Sequence, residues 1–504
     1  MESNNERRSR PKAHQEDMLS ALTDDILLSI LRGVDLATAA RTSALSTRWR
    51  DLPWLLPELN LHARDFLPAP CTDSPVAGAQ PVDFYSRIPL QHIDQAMASL
   101  TRAAGSFLRT RRSGNVVTRL SLEIHLLSNY SREIGPLVRD AINSGMVKDL
   151  YLAIVDDENP NHCKDGDMVQ KAQNVGAFFS AYPNMLLCIT RLQLCNLRFA
   201  EVNINHILFD CCKQLQHLSL DHCDVGDCSV WQINAPNSTL RVLEIYYSYL
   251  KRLEVLCLPK LERLHWEVWM HYEAPLRFGS VPSLKDLFLL CGAPLAHPGF
   301  SFSQLLTGAM GIHALTLNFQ GEKLWIQPER PQLLRTAFNK LRKLSIHGVY
   351  VEFDLLWTIN LLEAAPTVEI FDIEIFEHPC QKPYWGCVGL QRVQPSWKLP
   401  AFTGCNKWQL RELHFVNFSP LVRHHMLFVR AMMDRAPNLK TVLLKRDEEP
   451  CKACEAMAAL PPPIGGIFPR GKEQQEEIAK QLRGNRVLSS AQIIFSSSVS
   501  TVIF

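Results

Sequence analysis

The sequence predicts an α/β chain in two unequal parts: a small all-helical N-terminal segment, then a long, irregular array of short parallel strands stacked into a curved horseshoe. Three observations carry this. At 504 residues the chain exceeds the size of one hydrophobic core, so several units or a repeat array are required. An apolar-x-x-apolar-x-apolar pattern recurs twelve times from residue 117 onward. Residues 22–52, LTDDILLSILRGVDLATAARTSALSTRWRDL, instead carry helical spacing with helix starts and stops.

The bulk numbers narrow the function classes. With 46% hydrophobic and 21% charged residues, the composition is that of globular protein and leaves little room for long disorder. A net charge of +2 gives no electrostatic footprint for nucleic acid. The opening MESNNERRSRPKAHQED is polar and lacks the apolar core of a secretory leader, so the fifteen cysteines are expected as free thiols in cytoplasm or nucleus. Residues 1–16 are expected as a disordered tail, and RRSRPK within it is read as a solvated basic stretch before a nuclear address. No apolar run is long enough to span a bilayer, so no membrane partner is expected.

The helical part is placed at 17–56. Thr23, followed by Asp24 and Asp25, suits an N-cap, because acidic side chains favour the free N–H groups and the positive end of the helix dipole. Ile26, Leu27, Ile30 and Leu31 form a broad apolar stripe, and Gly33 stops the helix. Asp35 caps a second helix over about 36–43, and a third piece, 44–52, carries Leu45 and Trp49 before Pro53 ends it. Helices this short are unstable alone, so the apolar surplus must be covered by something else.

The same residues resemble a family. LTDDILLSIL, a short linker, then AARTSALSTRWRDL is similar to the F-box of plant F-box proteins, whose leucine-proline-aspartate entry, DILLxIL-type helix and ARTSxLSxRWR segment dock onto a Skp-type adaptor. The resemblance implies an adaptor-binding set of Leu22, Thr23, Ile26, Leu27, Ile30, Leu31, Leu45 and Trp49, shared between the bundle's own core and a groove on the partner. One departure stands out: Thr23 replaces the usual proline, and its capping capacity is expected to keep docking while weakening it.

The long middle, 117–448, is read as leucine-rich repeats. The twelve motifs are VTRLSL, VKDLYL, ITRLQL, LQHLSL, LRVLEI, LERLHW, LKDLFL, IHALTL, LRKLSI, VEIFDI, LRELHF and LKTVLL. The middle apolar position is leucine in ten of them, and the starts from 189 to 341 lie 21 to 29 residues apart, the period of such repeats. A strand of this kind cannot bury its own apolar face, so neighbours must stack. Residues 132–143 and 204–215 read as returning helices, and LKRLEV (250–255) as an additional outer strand. The wider gaps hold insertions, with loops expected at 156–167 and 378–387. Strand alternation turns every second residue to the inner face, nominating Tyr246, His265, Glu267, Phe288, Lys343, His347, Glu412 and His414 as target-binding candidates.

The flanks are less regular. Residues 57–116 are expected as a connector, with the helical spacing at 90–112 capping the first repeat. Residues 449–504, with FPRGKEQQEEIAKQL and a strand-like SSAQIIF, resemble the FBD-type region that follows the repeats in plant F-box proteins.

The sequence carries no complete catalytic or metal-binding motif. GIFPRGKE (466–473) has P-loop spacing, but Glu473 stands where Ser or Thr should hold magnesium and would repel phosphate. Cys451 and Cys454 lack a second pair for zinc, and Cys211, Cys212, Cys223, Cys228 and His222 read as repeat residues. NHCKDGD (161–167) lacks a calcium-chelating Glu at its twelfth position, Ala172. HWEVWMH (265–271) does not have zinc-protease spacing. No metal, cofactor or enzymatic activity is expected. The resemblance implies the substrate-recognition subunit of a cullin–RING ubiquitin ligase, partnered by a Skp-type adaptor, through it a cullin, and a target protein. The alternatives are a protein-binding scaffold without a ubiquitin role and a small-molecule-sensing repeat receptor.

Overall fold

A computed structural model describes residues 22–68, 88–109, 117–376, 408–446 and 468–496, apart from 127, 157, 159–162, 227–228, 270, 272, 292–298, 322, 470 and 485–489. In chain order its strands are β1 (Glu58–His62), β2 (Arg119–His125), β3 (Leu150–Val155), β4 (Ile189–Cys195), β5 (His217–Asp221), β6 (Val230–Asn234), β7 (Val242–Tyr246), β8 (Arg252–Cys257) and β9 (Arg263–Glu267). They continue as β10 (Leu276–Ser280), β11 (Asp286–Leu290), β12 (Ala314–Asn318), β13 (Lys343–Tyr350), β14 (Ile370–Phe376), β15 (Glu412–Val416), β16 (Thr441–Lys445) and β17 (Gln492–Ser496). All but β6, β8 and β10 join one parallel sheet in chain order, the arrangement of a leucine-rich-repeat solenoid.

Each of the twelve motifs forms a strand of that sheet. The register explains why the leucines recur: Leu218, Leu243, Leu264, Leu287, Leu315 and Leu344 pair side by side across six strands. Leu220, Ile245, Trp266, Leu289, Leu317 and Ile346 form the next row of the same buried face. Both rows face the returning segments, and one core cluster runs the length of the array. The outer strand expected at 250–255 is β8, the centre of a three-stranded parallel sheet ordered β10-β8-β6.

The array is longer than its expected limits of 117 and 448. β1 pairs with β2 in the stretch read as a connector, and β17 pairs with β16 in the tail. Helix α3, numbered after α1 (Asp24–Arg32) and α2 (Leu36–Thr42), spans Leu90–Arg109 and is the crossover between β1 and β2, not a lid over the first repeat. Its buried stripe of Ile93, Met97, Leu100, Ala104 and Phe107 faces the sheet. The returning helix expected at 132–143 is α4 (Ser128–Asn143), whereas 204–215 narrows to a single π turn, His206–Cys211. The loop expected at 156–167 ends early, since Asp165 and Asp167 are in the first turn of α5 (Asp165–Ala181). The loop expected at 378–387, Cys228 and the Cys451/Cys454 pair lie outside the described residues.

The third helix of the N-terminal part does not form. Residues 43–51 are turns leading into a short 3-10 helix, Leu52–Leu55, which contains Pro53. The hydroxyls of Thr42 and Ser43 donate to the carbonyls of Ala39 and Ala40 at 2.7 and 2.6 Å, local bonds that compete with helix continuation.

Candidate functional site

The N-terminal bundle divides the eight candidate residues in two. Thr23 adopts an extended N-cap conformation and its carbonyl accepts from the Leu27 N–H at 3.1 Å, although its hydroxyl makes no cap bond. Asp35 caps α2 fully: it accepts from the Thr38 N–H at 2.8 Å and from the Thr38 hydroxyl at 2.7 Å, which lowers its pKa. Arg48 bonds Asp24 at 2.8 Å and closes the turn segment against the start of α1. Leu27, Leu31 and Trp49 are buried with Ala39, Leu52 and Leu56, so these three are interior residues and leave the docking set. Leu22 is half-buried and Thr23 exposed. Ile26, Ile30 and Leu45 remain outward at 47%, 43% and 67% exposure, joined by Val34, which the sequence reading missed. Ile26 and Ile30 stand one turn apart on one face of α1.

The other surface is the open face of the main sheet, turned away from the returning segments. All eight target-binding candidates stand on it or at its exit edge, alternating with buried neighbours. They fall into two clusters. In the first, His265 stacks on Phe288 with ring centroids 4.0 Å apart, and Tyr246 lies 5.3 Å from His265. His265 Nε2 is 2.7 Å from Glu267 Oε1, and His217 Nε2 is 2.9 Å from Glu244 Oε2. Burial pushes the Tyr246 phenol up, and Glu244, Glu267 and Asp221 add to the effect.

The second cluster gathers around Asp372. Lys343 Nζ and His414 Nδ1 each lie 2.8 Å from its carboxylate, and the Ser345 hydroxyl donates to it at 3.1 Å. Burial would raise the Asp372 pKa, but His414 and Lys343 outweigh it and hold the carboxyl well below the usual range. His414 is raised in turn by Asp372, aided by Glu412 at 3.1 Å. His347, 3.6 Å from Glu374, is lowered by burial. Asp372 and Glu244 were absent from the candidate set although the same alternation rule selects them.

Where strands leave the sheet, the backbone turns sharply. Asn196, His222, Tyr247 and Val268 follow β4, β5, β7 and β9 with φ of 54°, 49°, 50° and 53°. Each still donates its N–H to a carbonyl of the next strand or its end, at 2.8 to 3.0 Å, before the chain swings outward. Behind this turn the Cys223 thiol donates to the Leu194 carbonyl at 3.3 Å, and the Ser248 hydroxyl to the Cys223 carbonyl at 3.1 Å. Cys223 is thus a buried rung between repeats.

Among the described residues, Asp156, Glu158 and Cys163 bring three ligand-type atoms together. Lys171 Nζ lies between them, ion-paired to Asp156 and, at 2.9 Å, to Glu158, with Cys163 Sγ at 3.4 Å. An ammonium therefore occupies the position a cation would take. No helix of the described residues is long and apolar enough to cross a membrane.

Residues 177–420, from within α5 to just past β15, match the family model described as At1g61320/AtMIF1, LRR domain. A comparison with the curated proteins finds no match. The match and the parallel-strand array support a plant leucine-rich-repeat protein, and such domains are typically non-enzymatic scaffolds that bind proteins.

Proposed function

We propose that this leucine-rich-repeat chain recruits substrates to a cullin–RING ubiquitin ligase, residues 22–52 docking a Skp-type adaptor and through it a cullin, and the open sheet face holding a target protein. The observation that carries the reading is that Ile26 and Ile30, one turn apart on α1, and Leu45, after α2, are exposed on a bundle whose Leu27, Leu31, Ala39 and Trp49 are buried. Several exposed apolar side chains on one small bundle favour a partner. The chain supplies no reacting group; it raises the effective concentration of a target beside a loaded ubiquitin carrier.

Co-purification with a Skp-type adaptor tests this. Ile30→Asp with Leu45→Asp should weaken adaptor binding by about thirtyfold or more while leaving the melting temperature unchanged, as expected for loss of anchor contacts at an interface. Leu27→Asp should lose binding by unfolding the bundle, and so distinguishes docking from folding. Retention of the adaptor by the double variant, or no capture by the wild type, would refute the proposal. A scaffold without a ubiquitin role is favoured by one observation: Leu27, Leu31 and Trp49 belong to the same core as the array, so the bundle also serves as its end cap. In that case no adaptor is captured.

A further inference from the structure

We propose that the open face of β5, β7, β9 and β11 takes an extended basic segment of a target protein, an arginine side chain lying over the Tyr246, His265 and Phe288 rings among Asp221, Glu244 and Glu267. This rests on the reading of the open face as the target-binding surface and adds the chemistry of the partner.

Charge is the first argument. On these four strands the open face carries four carboxylates, Asp221, Glu244, Glu267 and Asp286, against one guanidinium, Arg263. Arg263 is committed to Asp286 at 3.1 Å. The other three carboxylates have histidines as ion-pair partners, His222 at 2.6 Å from Asp221, His217 at 2.9 Å from Glu244 and His265 at 2.7 Å from Glu267, and Glu244 also accepts from the Tyr246 hydroxyl. Such a surface repels phosphates and acidic peptides and attracts cations.

The rings supply the second. Tyr246, His265 and Phe288 stand on consecutive strands, and the last two are within 2° of parallel. Tyr247, exposed, stacks on His222 at 4.8 Å with 6° between the ring planes, and Tyr249 is exposed nearby in the chain, so aromatic surface continues past the strand ends. A planar guanidinium packs against aromatic side chains while its edge bonds carboxylates in a fork, which favours arginine over lysine.

Spacing is the third. Asp221, Tyr246 and Glu267 are register partners in one row, so the two carboxylates sit two strand spacings apart, about 10 Å. Side chains two residues apart on an extended peptide lie about 7 Å apart and, being long, can reach both. The Asp372 cluster offers no equivalent, because its carboxylate is already shared by Lys343, His414 and Ser345.

The test is fluorescence anisotropy on the full chain with a labelled peptide alternating arginine and glycine, and with its glutamate counterpart. The arginine peptide should bind and the glutamate peptide should not. Glu244→Gln with Glu267→Gln, and separately Tyr246→Ala, should weaken binding about tenfold or more, while Glu412→Gln should leave it unchanged, with melting temperatures as the folding control. Added salt should weaken binding. Failure of the arginine peptide to bind, or equal affinity for the double variant, overturns the inference. Panning a random peptide library on the same protein separates the two readings. Enriched neutral or acidic peptides that Tyr246→Ala releases would overturn the basic partner and leave the face as a target site, whereas peptides indifferent to every open-face substitution would overturn both.

Discussion

Asp372→Asn should destabilise β13, β14 and β15 together, and by an amount that depends on pH. The carboxylate is 14% exposed, while its partners Lys343 and His414 are 48% and 27% exposed. Breaking a fully buried pair costs about 3–5 kcal/mol, whereas an exposed pair contributes about 0–1 kcal/mol. Water reaching Lys343 places this case between them, at about 1–3 kcal/mol. His414 is raised above its ordinary 6.5, so its contribution is complete below that pH and is lost as pH rises through the folded value. Asp372 is depressed, so its contribution is complete above the ordinary 3.8 and is lost as pH falls toward the folded value. The cluster therefore stabilises most between about pH 4 and 6.5. Amide hydrogen exchange of the three strands, compared between wild type and variant at about pH 5.5 and about pH 9, reads the local free energy. The difference should be larger at the lower pH. An equal difference at both, or one below about 0.5 kcal/mol, would refute the electrostatic account.

Two backbone predictions follow from the same architecture. Gly308 has φ +91°, and a Cβ there would lie 2.6 Å from the carbonyl oxygens of Phe278 and Gly279, whereas Gly145, φ +72°, has nothing within 4 Å. Gly308→Ala should cost about 2–5 kcal/mol and Gly145→Ala about 1 kcal/mol in chemical denaturation; equal costs would mean that the close approach to β10 is unimportant. Val268 holds a β-branched side chain at φ 53°, so Val268→Asn should raise the melting temperature, by about 1 kcal/mol of stability, and an unchanged or lowered value would count against strain at that exit.

The strands were legible because one physical constraint repeats. A leucine that must stack on its neighbour's leucine leaves the same mark at every turn, and Leu243, Leu264 and Leu287 sit in one row as their spacing implied. LPELNL, residues 56–61, has the same form and becomes β1, but it stands before residue 117 and apart from the other motifs. β17 escaped the pattern for a different reason: its leading position is Ser490, so only Ile493 and Phe495 remain to mark it. The bundle's inward and outward sides were not legible. Ile26 and Leu27, like Ile30 and Leu31, are adjacent on the stripe, and which pair is buried depends on where Trp49 and Leu52 arrive. Asp372 shows the same limit on the sheet: alternation puts it on the open face, but only the register shows that Lys343 and His414 converge on it from either side.

The junction between bundle and array bears on both functional readings. Leu27, Leu31, Ala39, Trp49, Leu52 and Leu56 share one buried cluster with β1, α3 and the strands beyond, and Trp54 stacks on Phe107 of α3 at 5.5 Å. A bundle joined this way cannot swivel without exposing apolar surface, so any partner held at Ile26, Ile30 and Leu45 takes a fixed position relative to the open face. For a recruiting subunit that rigidity is useful, because proximity accelerates a transfer only when the reacting groups are held in reach and not merely tethered. The same contact closes the apolar end of a repeat stack, which every such array requires. Capping and docking are therefore compatible roles for one segment: its inward residues answer to the array, and its outward residues are free to answer to a partner.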